Sequence, residues 1–256
     1  VRSAEEFHAA QRLIADGVND CAIARQLGIP RTTVRDWRCR PQVWRRLKSG
    51  PGCGVDHDFS ALPVAAYCYV LAMYLGDGSI SRATRVWRIR ITLDQKYPAI
   101  IERCCQAIEI LMPGQRAGIV KRVGCVDVSL FSKHWPCLLP QHGPGVKHKR
   151  RIALEPWQQA LVDQATEEFV LGLIHSDGCR VVANDRGVAS VRYHFSNRSE
   201  DILGLFTAAL DKLGIHWTRS TKHIVSIYRK ADTARLDEFI GPKTRAVPLE
   251  GVHYAA

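Results

Sequence analysis

The chain has 256 residues, 46% of them hydrophobic and 24% charged, a globular composition that excludes disorder, collagen-like repeats and low-complexity fibre. Thirty-six Lys and Arg against 25 Asp and Glu leave a net charge of +11 and a pI near 9.4, which points to a polyanionic partner, nucleic acid or an anionic membrane surface. No apolar run reaches the ~18–20 residues that span a bilayer, and no basic-then-apolar leader opens the chain, so the expectation is a cytoplasmic protein that faces nucleic acid rather than membrane, nucleoid-associated in a bacterium. The nine cysteines are odd in number and include no Cys-x-x-Cys, so they read as reduced thiols. Cys39, Cys53 and His57 are too few and too loosely spaced for a closed tetrahedral zinc site.

Residues 1–50 hold ten Lys and Arg against five Asp and Glu. Phe7, Ala10, Leu13 and Ile14 recur at helical spacing, and Gly17 ends that run. Asn19 or Asp20 then caps a second helix through Leu27. Gly28-Ile29-Pro30 turns the chain into a third, Arg31 to Arg38. Small Ala24 suits a close helix crossing, and Ile29, Val34 and Trp37 form a buried stripe. Arg31, Thr32, Thr33, Arg35 and Arg38 are left on the other face, side chains suited to phosphates and to guanine edges in a major groove. The segment resembles a helix-turn-helix. It is assigned residues 1–45, followed by a linker rich in Pro and Gly over 46–60.

An internal repeat organises the remainder. Val70-Leu71-Ala72-Met73-Tyr74-Leu75-Gly76-Asp77-Gly78 and Val170-Leu171-Gly172-Leu173-Ile174-His175-Ser176-Asp177-Gly178 place their acidic residues 100 positions apart. Alternating segments follow each motif (Arg85–Leu93; Ala189–Ser196), then an amphipathic helix (Pro98–Leu111; Glu200–Leu213). Another alternating pair ends at Val126–Leu130 and Ile224–Tyr228, and short helices close each copy (Lys133–Leu139; Asp232–Ile240). The reading is α+β: repeats over 61–140 and 156–245, each α-β-β-α-β-β-α, joined by a basic linker over 141–155 and followed by a tail over 246–256.

The small residues Ala72 and Gly76, and Gly172 and Ser176, let two helices approach backbone to backbone, which sets Asp77 beside Asp177. Two juxtaposed carboxylates repel unless cations sit between them, and hard oxygen ligands suit Mg²⁺ or Mn²⁺. Such a site activates water and stabilises both attacking and leaving oxygens of a phosphodiester; no organic cofactor is called for. On the following strands Arg88, Arg90 and Thr92 oppose Ile89, Ile91 and Leu93. In the second copy Ser190, Arg192, His194 and Ser196 oppose Val191, Tyr193 and Phe195. One apolar and one polar face fit a β-surface laid along double-stranded DNA. Lys147, Lys149, Arg150 and Arg151, between the two DNA-facing halves, are expected to grip phosphates.

The duplicated motif resembles the LAGLIDADG (DOD-type) homing endonuclease family in its two-repeat, single-chain form, over roughly residues 60–245. The second copy matches better; the first has Met73-Tyr74 where the consensus has Leu-Ile. The resemblance implies a sequence-specific endonuclease with internal pseudo-twofold symmetry, acting as a monomer. Asp77 and Asp177 would hold the metals, with Gly76 and Ser176 also in the metal site. The family's polar and basic site positions map by repeat equivalence to Gln95 and Asn197, and to Lys133 and Lys230. The rival reading is a non-cleaving DNA-binding regulator that keeps the fold and helix-turn-helix for recognition alone. An intein is disfavoured by Val1 and by the missing terminal His-Asn.

Overall fold

A computed structural model describes residues 4–39, 53–55 and 57–244; the expected tail over 246–256 and most of the Pro/Gly linker lie outside the described residues. The chain divides into two compact units, Val1–His57 and Asp58–Ala256.

The first unit holds three helices, α1 (Ala4–Ala15), α2 (Asp20–Leu27) and α3 (Arg31–Cys39). Asn19 caps α2, its side chain accepting the Ala22 N–H at 3.0 Å. Gly28, at φ 64°, ends the helix in the left-handed conformation that glycine adopts without penalty. Phe7, Ala10, Ile23, Ile29, Val34 and Trp37 form the buried core, and Phe7 meets Trp37 edge to face at 5.2 Å.

The second unit contains the two repeats. The first runs α4 (Val64–Asp77), β1 (Gly78–Arg82), β2 (Trp87–Asp94), α5 (Pro98–Leu111), β3 (Gly118–Lys121), β4 (Cys125–Ser132) and α6 (Trp135–Leu138). After α7 (Pro156–Gln164), the second runs α8 (Thr166–Asp177), β5 (Gly178–Asp185), β6 (Val188–Ser196), α9 (Glu200–Lys212), β7 (Thr218–Thr221), β8 (Ile224–Ile227) and α10 (Lys230–Phe239). Each repeat forms an antiparallel four-stranded sheet of the same topology, β1-β2-β4-β3 and β5-β6-β8-β7. The expected α-β-β-α-β-β-α order is present twice. Helix α6 begins two residues later than expected, which leaves Lys133 on the approach to the helix.

In β2, Ile89, Ile91 and Leu93 are buried while Arg88, Arg90 and Thr92 are not; in β6, Tyr193 and Phe195 are buried between more exposed neighbours. The apolar face of each sheet therefore joins the core with its helices.

Helices α4 and α8 lie at the centre. Ten consecutive residues of α4, Ala66 to Leu75, are buried, which only a helix enclosed on all sides achieves. The seam between the two helices is set by residue size. A Cβ on Gly172 would stand 2.6 Å from the Ala72 Cβ, and one on Gly76 would stand 2.2 Å from the Ser176 Oγ. The pairs 72/172 and 76/176 advance together, so the helices run in the same direction. Tyr69 Oη and His175 Nδ1, 2.9 Å apart, hydrogen-bond across the seam. Burial pushes the imidazole down to about 3, so His175 is neutral at working pH. Among the described residues, no helix is long and apolar enough to cross a membrane.

Candidate active site and nucleic-acid face

Asp77 and Asp177 end the two seam helices. Each is followed by a glycine whose backbone is not left-handed (φ −90° at Gly78, −101° at Gly178), so the Asp-Gly pairs are not simple αL caps. The requirement is steric: a Cβ at Gly78 would lie 2.4 Å from the Tyr74 Cα, and one at Gly178 would lie 2.7 Å from the Ile174 Cα. The glycines let each strand leave directly against its helix, with the carboxylate at the corner.

The two carboxylates feel each other. Burial, and then the negative charge of Asp177, push Asp77 up to about 6, against the pull of Lys243 and Lys147. Asp177 is also raised, chiefly by burial, although the Asn197 side-chain amide donates to its Oδ2 at 2.7 Å. Asn197 Oδ1 in turn accepts the Ser199 N–H at 2.8 Å, which fixes the amide's orientation. Gln95, the repeat-equivalent residue, is exposed and makes no such bond to Asp77 among the described residues. Asp77 is accordingly the more open and less restrained of the pair.

The cations beside the carboxylates are Lys147 and Lys243, which corrects the expectation of Lys133 and Lys230. Lys133 and Lys230 are exposed, and neither contributes to the shift of Asp77 or Asp177. Lys147 Nζ donates to the carbonyls of Gly76 at 2.8 Å, Leu75 at 3.0 Å and Tyr74. Lys243 Nζ donates to the carbonyls of His175 at 2.9 Å and Ser176 at 3.4 Å. Each ammonium thus satisfies last-turn carbonyls at the negative end of one seam helix. Burial pulls Lys147 down to about 8, with Asp177 and Asp77 opposing, and lowers Lys243 in the same way. Lys243 was not foreseen, yet a signal exists: Gly143-Pro144 and Gly241-Pro242 each follow a repeat's closing helix and precede one of these lysines. The Gly76 and Ser176 carbonyls are engaged by ammonium groups, although each keeps a second lone pair.

The basic linker is therefore not a uniform phosphate grip. Lys147 turns inward, and Arg150 Nη1 donates to the Gln141 carbonyl at 2.8 Å; Lys149 and Arg151 remain exposed. Beside the acid pair a cleft of about 710 Å³ is lined by Lys147, His148, Arg150, Asp177, Asn197 and Arg198, among others.

Residues 165–241 match the family model of the LAGLIDADG-like domain, and residues 2–48 match that of a homeodomain-like domain. The LAGLIDADG-like match falls on the second repeat. The first repeat shares its topology and its acidic corner. Among solved structures, the homing endonuclease I-WcaI bound to its DNA recognition sequence aligns with a TM-score of 0.50 at 13% identity, over 74% of this chain and 84% of that one. At that identity the likeness is one of fold. I-DmoI in complex with DNA and Ca aligns at 16% identity over 73% and 94% of the two chains, TM-score 0.48. The N-terminal LAGLIDADG domain of DUF199/WhiA aligns at 15% identity over 77% and 89%, TM-score 0.45. No curated protein matches the sequence.

On the outer face of the first repeat's sheet, Arg88 Nη2 donates to Ser129 Oγ at 3.0 Å and lies over the Phe131 ring. Thr92 Oγ1 donates to Asp127 Oδ1 at 2.8 Å, and Arg122 pairs with the other oxygen of this buried carboxylate at 2.7 Å. Arg90, between Ser79 and Ser129 in register, has no hydrogen bond or ion pair among the described residues. In the LAGLIDADG-like domain the corresponding face is occupied with itself. Arg192 pairs with Asp185, which also accepts from Ser190, and His194 Nδ1 meets Ser226 Oγ at 2.7 Å. Ser220 bonds both Ser226 and Tyr228, and Ser196 is exposed.

In the homeodomain-like unit Arg31, Thr32 and Arg35 are exposed on α3, and Thr33 is half-buried. Arg38 departs from the expected DNA-facing set: it is bound to Asp20 Oδ1 at 2.7 Å and to the Val18 carbonyl at 2.6 Å, tying α3 to the start of α2. No disulfide joins the cysteines among the described residues; Cys53 Sγ lies 2.9 Å from His57 Nε2, while Cys39 is exposed.

Proposed function

We propose that the chain is a site-specific DNA endonuclease of the homing type, acting as a monomer whose two repeats form one pseudo-twofold site. The observation that carries this reading is the acid pair. Two carboxylates are brought together by a seam of small residues, each at the corner of one repeat, with both pKa values raised. A pure binder gains nothing from negative charge held against DNA phosphates.

The donor set fits a hard divalent cation, Mg²⁺ or Mn²⁺. Asp77 and Asp177 would hold it, with the Gly76 and Ser176 carbonyls beside them. When bound, such an ion supplies an activated water and stabilises charge on the scissile phosphate. The chain's own residues do the rest. Asn197 holds Asp177 in one orientation. Lys147 and Lys243 would hold the ends of the two seam helices in place and lend positive charge to the site without contacting the phosphate directly. Gln95, exposed and repeat-equivalent to Asn197, would hydrogen-bond a water at the first corner. Arg88 and Arg90 on the first sheet, Ser196 and His194 on the second, and Lys149 and Arg151 of the linker form the DNA face. Arg31, Thr32 and Arg35 add a second contact through α3 in the manner of a helix-turn-helix.

One observation favours a non-cleaving regulator: two ammonium groups already stand beside the two carboxylates, so the pair is neutralised without metal. A nicking assay decides. Wild-type protein with a plasmid library carrying candidate sites should cut in Mg²⁺ or Mn²⁺, whereas Asp77→Asn and Asp177→Asn should not cut yet should bind as tightly or tighter. Tight, selective binding with no cutting in either metal would leave the regulator.

A further inference from the structure

We propose that Arg90 and Arg88 read two guanines spaced two base pairs apart in the half of the target that the first repeat contacts, with Arg90's guanine nearer the cut. The inference rests on the DNA-binding reading and extends it to a feature of the target itself.

Three observations carry it. The first is availability. To read a base, a side chain must give up whatever holds it in the free protein, and the polar residues on these sheets differ in what they would lose. Arg90 has no partner among the described residues, and Arg88 has one neutral hydrogen bond, to Ser129. Thr92 is committed to Asp127, itself paired with Arg122, and in the second repeat Arg192 is committed to Asp185. Of the guanidinium groups on the middle strands β2 and β6, those free to reach a groove are thus the first repeat's. The second is chemistry: a guanidinium's parallel donors match guanine O6 and N7 in the major groove better than any other base edge.

The third is register. Gly78, directly after Asp77, pairs with Ile91, and Ser79 pairs with Arg90, so Arg90 lies one step along the sheet from the acid pair. Arg88 lies two residues further out on the same face, at ~3.4 Å per residue. Stacked bases are also ~3.4 Å apart along the duplex. A strand laid along the groove therefore puts the two guanidinium groups opposite bases two steps apart. Arg90, half-buried between Ser79 and Ser129 in register, has its stem constrained by the neighbouring strands.

The test is a selection of binding sites from a randomised duplex library in Ca²⁺, with full-length wild type, Arg90→Gln, Arg88→Gln and Arg90→Lys. Wild type should enrich guanine at two positions two base pairs apart in one half-site. Arg90→Gln should erase the inner guanine alone, lowering discrimination there by about 10- to 100-fold, and Arg88→Gln should erase the outer one. Arg90→Lys keeps the charge on the same scaffold, so it should retain affinity and the wild-type melting temperature while losing most of the inner preference. If Arg90→Gln weakens every sequence equally, Arg90 is a phosphate contact, and if the two altered positions are not two apart, the strand does not lie along the groove in this register; either result overturns the inference while DNA binding stands. If wild type enriches nothing, the DNA-binding reading falls and takes this inference with it.

Discussion

Replacing Gly172 by alanine should destabilise the protein, although the same change in a free helix stabilises it. Alanine is favoured over glycine in a helix interior by about 1 kcal/mol. Against that, the new Cβ would stand 2.6 Å from the Ala72 Cβ and 2.9 Å from the Tyr69 carbonyl oxygen. Neither neighbour can swing away, because one is the first side-chain atom of a buried helix residue and the other is backbone. Overpacking of this kind costs about 1–3 kcal/mol. The net loss of up to roughly 2 kcal/mol should lower Tm by up to about 8 °C for a unit of this size. Gly204 supplies the control, since it lies inside α9 and a Cβ there would meet nothing within 4 Å. Gly204→Ala should raise Tm by about 2–4 °C. Thermal melts of the two variants side by side read the sign directly. Relief of the clash moves α8 against α4, and with it Asp177 against Asp77. Misplacement by about 1 Å can lower a rate by roughly 100-fold, so cleavage should fall further than stability alone explains. A Gly172→Ala protein as stabilised as Gly204→Ala would refute the close seam.

The folded carboxyl of Asp77 sits near 6, against an ordinary 3.8, so its ionisation opposes folding above pH 6 and this penalty is relieved as pH falls from 6 towards 4. Asp77→Asn should therefore melt higher than wild type at pH 7.5, with the gap narrowing to roughly half at pH 5 and closing towards pH 4; a gap that widens on acidification would contradict the placement of this group. Lys147→Met and Lys243→Met should each slow cutting while Lys133→Met and Lys230→Met leave it unchanged, as measured by single-turnover cleavage; equal effects from all four would remove the lysine assignment. Lys149→Ala combined with Arg151→Ala should flatten the salt dependence of DNA binding, by about 0.9 in log–log slope for each phosphate that is no longer neutralised; an unchanged slope returns both residues to solvent. Trp37→Ala removes a buried ring from the first unit's small core and should cost about 3–5 kcal/mol, unfolding that unit by circular dichroism while the second unit's melt persists.

The fold and the acid pair were legible because their signals are local and doubled. Alternation in Arg88–Leu93 and again in Ser190–Ser196 needs only the period of a strand, and a second Asp-Gly 100 positions on turns a weak motif into a repeat. The homeodomain-like unit was legible for the same reason, since Asn19, Gly28 and the Ile29/Val34/Trp37 stripe each act within a few residues. The destinations of the long cations were not legible. Lys147 and Arg150 belong to one basic run, yet one reaches carbonyls more than 70 positions back in the chain while the other closes its own loop on Gln141. Arg38 looks like its helix neighbours Arg31 and Arg35, and only the approach of Asp20 and the Val18 carbonyl makes it structural. Four-carbon and guanidinium stems span many possible partners, so tertiary placement decides among them.

The lysines answer a difficulty that the seam itself creates. Packing α4 and α8 in the same direction brings two helix C-termini together, each the negative end of a dipole with unsatisfied carbonyls, and adds a carboxylate to each. Without counter-charge the corner would carry two acids and two carbonyl clusters, repelling one another in a partly buried space. Lys147 comes from the inter-repeat linker and Lys243 from beyond the last repeat helix, and each satisfies the carbonyls of one seam helix. The two connections that close the repeats thus also hold the acid pair in place. With ammonium groups on the backbone side of the corner, burial still keeps both carboxyl pKa values raised, so ionising the pair remains costly. A divalent cation on the open side of the corner would offset that cost of ionisation, as the nuclease reading requires, whereas the regulator reading leaves it uncompensated.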